Sequence, residues 1–333
     1  MTRHIFECID GHTCGNPIRI VKTGAPPLRG ETMAEKREHF IRDYDWIRRA
    51  LMFEPRGHDI MSGLFFYPSR RPEVDIGIVF IEVDGCLPMC GHGTIGAATL
   101  GVEEGLIKPK REGQIVIEVP AGIVEASYER NGDFVESVRL TNVASYLHAV
   151  DIKIDVPGLG QLIVDVAFGG NFFAIIEPQR NWQGFENFTG GAIVRWSPLI
   201  RELVQEAVQP KHPLIANAQG ISHVMWCDGP KDPRAHGRSA AFYGEKAIDR
   251  SPCGTGSSAR IAHLFGKGRL SVGDTYINES LIGTLYDCRI EKAADIAGRP
   301  GIIPSVAGWA RLTGYNTLIV DDRDPLKHGF QLI

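Results

Sequence analysis

The sequence predicts an α/β (α+β) fold of two pseudo-symmetric lobes, each with a curved mixed sheet around a central helix. The main observation is a repeat, because Cys-Gly-X-Gly occurs at Cys90 and again at Cys253, each time before a mostly apolar stretch. A closing glycine, Gly105 or Gly268, follows each cysteine at the same distance. The length of 333 residues also suits two lobes. Each lobe is therefore expected to carry one thiol just before a buried helix.

The elements upstream of the first cysteine are predicted from local patterns. Short β-type runs dominate both halves of the chain, such as 78–83, 114–119 and 162–167. An amphipathic helix is predicted to begin at Thr32, where Glu35 completes a capping box. Its apolar residues recur at helical spacing and indicate a core-facing stripe of Phe40, Tyr44, Ile47 and Leu51.

The second half offers a matching helix. We expect it to begin at Ser197, with Pro198 at the first helical position. Its core-facing stripe would comprise Leu199, Ile200, Leu203, Val204 and Ala207.

A short motif near the start of each half extends the repeat. Gly-Asn-Pro at 15–17 corresponds to Gly-Asn-Phe at 170–172. The N-terminal lobe, which carries Cys90, is expected to span 1–126 together with about 312–333. The C-terminal lobe, which carries Cys253, is expected to span 127–311.

Composition and charge exclude several classes of protein. Hydrophobic residues make up 43% of the chain and charged residues 23%, as in ordinary globular enzymes. A net charge of −4 gives no reason to expect nucleic acid or anionic lipid as a partner. No apolar run is long enough for a membrane span, and the first residues lack the hydrophobic region of a signal peptide. Seven scattered cysteines, an odd number, favour unpaired thiols in a reducing cytoplasm over a disulfide framework.

The repeat predicts chemistry at the two helix starts. Glycines after Cys90 and Cys253 allow the backbone to approach a ligand closely. The N–H groups and dipole of a helix start favour an anion, so two facing starts would hold a carboxylate and lower the pKa of a nearby thiol. Inversion of an amino acid at Cα needs such a pair, because one thiolate removes a proton and the opposite thiol returns one. This reaction needs no pyridoxal phosphate, and no lysine context indicates that cofactor.

Other interpretations fit parts of the same motifs. Residues 91–96 match G-x-G-x-x-G, and Glu118 lies at about the spacing of a ribose-binding acid. The duplication, with a cysteine directly before both copies, argues against a nicotinamide cofactor. Cys86 and Cys90 could form half of a zinc site, but no second ligand pair accompanies them, so no metal is expected. The other cysteines are expected to be packing residues: Cys8, Cys14, Cys86, Cys227 and Cys288.

Three further residues have both a structural and a functional interpretation. Asp249, four residues before Cys253, could hold a substrate ammonium group or bond its own loop backbone. His92 and His223 could contact substrate, although single histidines are more often structural. Spacing alone does not decide between these roles.

Several motifs together resemble the proline racemase family over nearly the whole chain. They are Asp-Gly-His-Thr-Cys-Gly-Asn-Pro at 10–17, Met-Cys-Gly-His-Gly-Thr at 89–94 and Asp-Arg-Ser-Pro-Cys-Gly-Thr-Gly at 249–256. Within the family, the stretches 53–59 and 308–317 also resemble the bacterial 4-hydroxyproline 2-epimerases.

The resemblance implies a diaminopimelate-epimerase-like fold, a homodimer and catalysis without a cofactor. It implies conversion of trans-4-hydroxy-L-proline to cis-4-hydroxy-D-proline, with Cys90 and Cys253 transferring the protons. It also implies a set of substrate contacts. The carboxylate would be surrounded by Gly91, His92, Gly254 and Thr255, the nitrogen bound by Asp249, and a further contact made by His223.

Alternatives to this reaction remain at the level of sequence. Related 3-hydroxyproline dehydratases carry threonine where this chain has Cys253, so two cysteines favour inversion. Proline racemase, with the same mechanism, is the nearest alternative; a nicotinamide-dependent or thiol oxidoreductase and a silent binding protein come from other classes. At Asn278 the chain departs locally from the epimerase pattern, because similar epimerases can carry histidine before Glu-Ser.

Overall fold

The computed structural model describes residues 2–216 and 218–332 and divides the chain into two compact units. The first comprises Met1–Leu140 and Gly308–Ile333, and the second Thr141–Ala307. The division lies beyond the predicted residue 126, because the strand Gly122–Asn131 pairs with Gln114–Val119 and stays in the first unit. In the part of the chain described, no helix has the length and apolar character that a membrane span requires.

The two units contain strands and helices in the following chain order. They are β1 (Arg3–Thr13), β2 (Asn16–Thr23), α1 (Met33–Met52), β3 (Ser62–Tyr67), β4 (Ile76–Glu82), α2 (Gly91–Glu103), β5 (Gln114–Val119), β6 (Gly122–Asn131), β7 (Phe134–Thr141), β8 (Ser145–Val156), β9 (Gly160–Phe168), β10 (Phe172–Ile176), α3 (Gly190–Val208), β11 (Ile221–Asp228), β12 (Gly237–Tyr243), β13 (Ala247–Ile248), α4 (Gly254–Gly266), β14 (Thr275–Glu279), β15 (Leu285–Ile296), β16 (Arg299–Gly308) and β17 (Ala310–Asp321).

The first unit is a mixed sheet around α2. Strand β1 pairs antiparallel with β17 and β2, and from β2 to β6 the pairings alternate between parallel and antiparallel. Helix α2 packs against β1, β2, β3, β6 and β17. Its residues from Gly91 to Gly101 are all buried, as expected of a helix that is apolar on every side.

The second unit repeats this pairing order. Strands β9, β10, β11, β12, β14 and β15 alternate between antiparallel and parallel pairing in the same sequence as β1 to β6. Strand β8 pairs with β9 and, at Ser145 and Tyr146, with β16, which pairs with β15. Helix α4 packs against β8, β9, β10 and β15. The predicted repeat of a sheet around a central helix is therefore confirmed.

The two amphipathic helices differ in how well the sequence predicted their starts. Thr32 caps α1, and its Oγ1 accepts a bond from the Glu35 N–H at 3.2 Å, as predicted. The predicted start of α3 at Ser197 is wrong, because Thr189 caps that helix and Pro198 lies inside it. Ser197 is buried and its hydroxyl accepts a bond from the Trp226 indole N–H at 2.9 Å. Tertiary packing thus extends the helix across a residue that lacks one backbone donor.

Candidate active site

Cys90 occupies the N-cap of α2 in the first unit. Its side chain is buried, and Sγ accepts a hydrogen bond from the Gly93 N–H at 3.4 Å. Gly91 and His92 are the first two residues of the helix. Because first-turn N–H groups have no acceptor within a helix, those of Gly91 and His92 are available for an anion.

The side chain of His92 lies against this thiol. Its Nδ1 is 3.3 Å from the Cys90 Sγ, and its Nε2 is 3.1 Å from the Asn16 amide Nδ2. The His92 carbonyl accepts a bond from the Thr13 hydroxyl at 2.9 Å. Thr13 and Asn16 are paired across the β1–β2 turn and are fully buried. The hairpin therefore holds both the backbone and the ring of His92.

Among the residues that the structure describes, two groups of side chains have ligand atoms close enough together to hold a metal ion. In the first, atoms of Glu82, Cys90 and His92 lie within 4.8 Å of one another, and all three residues are buried. In the second, Asp165 accepts bonds from Lys267 at 2.6 Å and from His263 at 2.7 Å. The third member of this second group, Glu177, forms ion pairs with Arg260 and Arg269. Lysine and arginine side chains thus already compensate the charges of both carboxylates. The second group is therefore an ion-pair network.

Cys253 occupies the N-cap of α4 in the second unit. Its Sγ accepts a bond from the Gly256 N–H at 3.3 Å, as Cys90 does from Gly93. Its backbone has φ 64°, a strained conformation for a residue with a side chain. The Ser251 hydroxyl accepts from the Cys253 N–H at 3.1 Å and donates to Asp249 at 2.8 Å. Asp249 and Ser251 thus hold the loop in this conformation.

The surroundings of Cys253 favour a protonated thiol. Burial raises its pKa well above the usual value, and the negative charge of Asp249 raises it further. The bond from the Gly256 N–H acts in the opposite direction but is a smaller effect. Both thiols therefore have a carboxylate nearby, Asp249 for Cys253 and Glu82 for Cys90, and Cys90 has in addition the imidazole of His92.

His223 is buried in the second unit, on β11. Its ring lies between those of Phe173, with centroids 4.5 Å apart, and Tyr243, at 5.9 Å. Phe173 and Cys253 belong to the same apolar cluster. Burial lowers the pKa of His223 to about 3, so the imidazole is neutral at physiological pH.

The remaining predicted site residues lie at the start of α4 or in the core. Gly254 and Thr255 are the first two residues of α4, and the Thr255 hydroxyl is 3.8 Å from the Cys253 Sγ. Burial raises the pKa of the Cys86 thiol to about 12, as expected of a packing residue. Glu118, the acid of the dinucleotide interpretation, accepts the Met33 N–H at 3.1 Å and so holds the start of α1.

Sequence reasoning missed the role of Asn278. This residue is fully buried on β14, and its amide donates to Ser239 and Ser257 at 2.9 Å each and to the Pro252 carbonyl at 3.2 Å. It therefore braces the residue before Cys253 from a strand that lies far away in the sequence. The only available signal was the departure from the epimerase pattern at this position.

The proline racemase family profile matches residues 8–331. The chain belongs to the proline racemase family. Among its relatives in this family, the 4-hydroxyproline epimerase of Brucella ovis is 54% identical, with 100% of both chains covered. A 4-hydroxyproline 2-epimerase of Brucella anthropi is 55% identical, with 99% of each chain covered.

Solved structures agree with this assignment. A hydroxyproline epimerase from Agrobacterium vitis, with bound trans-4-hydroxy-L-proline, has a TM-score of 0.90 and 29% identity over 99% of this chain and 95% of that chain. A more distant phenazine biosynthesis protein of the PhzF family from Bacillus anthracis has a TM-score of 0.60 and 15% identity, over 96% of this chain and 99% of that one. The latter shows a shared fold alone, and the predicted fold class is confirmed.

Proposed function

We propose that the protein inverts Cα of trans-4-hydroxy-L-proline to give cis-4-hydroxy-D-proline, with Cys90 and Cys253 as the proton-transfer residues. The observation that carries the proposal is the pair of buried cysteines at the N-caps of α2 and α4, each holding a bond from the helix N–H three residues on. The hydroxyproline epimerases among the relatives support the substrate.

The proposed reaction is a proton exchange at one carbon. A thiolate removes the Cα proton from one face, and the opposite thiol donates a proton to the other face. Negative charge that develops on the substrate carboxylate is stabilised by the first-turn N–H groups of both helices, from Gly91, His92, Gly254 and Thr255. Electrons and protons balance without an oxidant, because one proton is removed and one is returned.

The unequal neighbours of the thiols suggest their resting states. Burial, and after it the charge of Asp249, keep Cys253 protonated, which suits a proton donor. The imidazole of His92 places a polar ring beside the other thiol, with Nδ1 3.3 Å and Nε2 4.0 Å from the Cys90 Sγ, and Cys90 is assigned the role of the base. A substrate ammonium group bound to Asp249 would neutralise the carboxylate and make the Cys253 proton easier to release. Substrate binding would in this way prepare the acid for its step.

Recognition of the 4-hydroxyl is assigned to His223. A neutral imidazole can accept or donate a hydrogen bond, and burial keeps this ring neutral. A site that bonds a hydroxyl rejects an analogue without it, because its own polar group is then left unsatisfied. His223→Ala should therefore narrow the preference for 4-hydroxyproline over proline. If the unmodified enzyme converts both equally well, the protein is a proline racemase with the same mechanism.

The decisive experiment follows exchange in deuterated water by NMR and polarimetry. Product should gain deuterium at Cα, and Cys90→Ser and Cys253→Ser should each lower turnover by orders of magnitude, because serine is a far weaker base. Cys86→Ser is the matched control, since it changes a buried thiol outside both helix starts and should leave turnover near normal. Near-normal turnover in Cys253→Ser would rule out the two-thiol mechanism.

The proposal includes a cytoplasmic homodimer. The support for the compartment is the odd number of scattered cysteines in the sequence, seven, which favours unpaired thiols over a disulfide framework. Light scattering during size-exclusion chromatography should give twice the chain mass of 36.6 kDa. A monomeric mass would contradict the dimer without affecting the proposed chemistry.

A further inference from the structure

We propose that Asn278 and Ser257 are positioning residues that hold the peptide bond between Pro252 and Cys253, and so keep the acid thiol at the start of α4. The inference rests on the proposed function, in which Cys253 donates a proton to substrate. Neither residue is assigned a contact with substrate, so both act through the backbone of the cysteine.

The backbone of Cys253 has an unfavourable conformation. Its φ of 64° and ψ of 112° lie outside the regions that are open to a residue with a Cβ. Such conformations persist only where the surrounding structure over-determines them. Because φ describes rotation about the N–Cα bond, the strain would be relieved if the Pro252–Cys253 peptide turned to give a negative φ. The structure must therefore hold this peptide in place.

Both polar groups of the Pro252–Cys253 peptide are bonded to buried side chains. The Pro252 carbonyl accepts from the Ser257 hydroxyl at 3.0 Å and from the Asn278 amide at 3.2 Å. The Cys253 N–H donates to the Ser251 Oγ at 3.1 Å. A turn of the peptide would break all three bonds in a buried site, and leaving buried polar groups unsatisfied is costly. These bonds therefore oppose relief of the strain.

Asn278 and Ser257 also depend on each other. A carbonyl can only accept, so the Asn278 atom that faces Pro252 must be the amide nitrogen. The same nitrogen donates to the Ser257 hydroxyl at 2.9 Å, which directs the proton of that hydroxyl to the Pro252 carbonyl. Asn278 is fully buried on β14, where it pairs with Gly237 of β12. The sheet thus places the amide, and the amide orients the hydroxyl.

The first copy of the repeat has a cysteine in the same place with a relaxed backbone. Cys90 caps α2 with φ −136° and ψ 108°, which is ordinary extended backbone. Strand β5 holds the place of β14 in the pairing order, and Ile117 stands directly before its glutamate as Asn278 stands before that of β14. An apolar side chain therefore occupies the place of the amide in the copy whose cysteine is not strained.

The hydroxyl four residues after each cysteine also has a different partner in the two copies. Thr94 donates to the carbonyl of Cys90 itself at 2.8 Å, whereas Ser257 donates to the carbonyl before Cys253. The same position of the helix thus bonds a different peptide in each copy. The strained cysteine is the one whose preceding carbonyl is turned towards the helix and bonded there.

The first test compares glycine with alanine at each cap by urea unfolding without substrate. Glycine lacks the Cβ that makes the Cys253 conformation unfavourable, so Cys253→Gly should unfold at a higher urea concentration than Cys253→Ala. At Cys90 the backbone is relaxed, and glycine only adds freedom to the unfolded chain. Cys90→Gly should therefore unfold at a lower urea concentration than Cys90→Ala, so the order reverses between the two copies.

The second test determines whether Asn278 and Ser257 hold the strain. In the Asn278→Leu and Ser257→Ala backgrounds the peptide can turn, so the difference between Cys253→Gly and Cys253→Ala should become smaller. Ser258→Ala is the matched control, because this hydroxyl of the same helix turn donates to the Gly254 carbonyl at 3.0 Å. It should leave the difference unchanged. If Asn278→Leu does not fold, Ser257→Ala decides the test.

Turnover by the protein with both cysteines provides a third measurement. Ser257→Ala should lower kcat by up to about a hundredfold, because the acid is displaced from the reacting carbon. KM should change little, since no proposed contact with substrate is removed. Ser258→Ala should leave both kcat and KM near those of the unmodified protein.

Any of three results would overturn the proposal. They are a Cys253→Ala protein at least as stable as Cys253→Gly, an undiminished difference between these two in the Ser257→Ala background, and an equal fall of kcat in Ser258→Ala. The stability measurements use proteins that lack the Cys253 thiol, so they do not depend on the reaction. If the unmodified protein does not invert hydroxyproline, the proposed function fails, whereas the urea titrations still decide the roles of Asn278 and Ser257.

Discussion

Replacing Asp249 by asparagine should change the reactivity of Cys253 and the turnover of substrate in opposite directions. The carboxylate raises the pKa of the Cys253 thiol, second only to burial. Asparagine keeps the size of the side chain and removes the charge. Cys253 should therefore ionise more readily, while substrate loses the charged acceptor for its nitrogen.

The size of the effect follows from Coulomb's law. Two unit charges about 4 Å apart interact by about 4 kcal/mol at an effective dielectric constant of about 20. Since one pKa unit corresponds to about 1.4 kcal/mol, the pKa of Cys253 should fall by at most about 3 units. Burial is retained in the variant, so the pKa should remain above that of an exposed thiol. We expect labelling of Cys253 at pH 8 to become at least about tenfold faster.

The assay is alkylation of Cys253 by iodoacetamide across a pH series, with Cys90 in the same sample as an internal reference. The alkylation rate of Cys253 in the variant is compared with the rate of the same thiol in the unmodified protein. Limited access to the buried thiol slows both rates and therefore does not affect their ratio. Ser251→Ala is the matched control, because it removes a bond to Asp249 and keeps the charge. An unchanged Cys253 profile in Asp249→Asn would refute the electrostatic reasoning. Unchanged turnover in Asp249→Asn would show that Asp249 does not bind the substrate nitrogen.

Three other expectations concern stability and the carboxylate. Because the pKa of His223 is lowered in the folded protein, the unfolded chain binds a proton at a pH where the folded chain does not. The free energy of unfolding should therefore be highest above about pH 6.5 and should decrease as the pH falls towards 3. Between pH 7 and 5 this loss amounts to about 2 kcal/mol. In urea titrations, the free energy of unfolding of His223→Gln should vary less with pH than that of the unmodified protein. The same variation in both proteins would contradict this expectation. Gly169→Ala should lower the free energy of unfolding by about 1–3 kcal/mol, since a Cβ there would lie 2.2 Å from the Thr255 carbonyl oxygen. Gly229→Ala is the control, because a Cβ at that position would have no atom within 4 Å. An equal loss of stability in both variants would show that the clash with Thr255 is not the cause. Planar pyrrole-2-carboxylate should compete with substrate, and equal turnover of an amino acid and its amide would argue against the anion site.

The sequence alone determined the features that depend on neighbours a few residues apart. The capping box at Thr32 and the two cysteines at helix starts are local patterns, and both are found in the structure. The repeat of Cys-Gly-X-Gly was enough to predict two units of one design, because equal spacing of equal motifs indicates equal local folds. The family resemblance rested on the same motifs and is confirmed.

Tertiary structure decided the features that join distant parts of the chain. Helix α3 begins at Gly190 because packing holds it across Pro198, against the local signal. Asn278 reaches the loop before Cys253 from another strand, and Asn16 meets the ring of His92 although 76 residues separate them. A side-chain contact of this kind depends on strand pairing and burial, which no local spacing records. The amino-acid sequence therefore specified that each of the two thiols lies at the start of a helix, and the pairing of the strands determined which side chains surround each thiol.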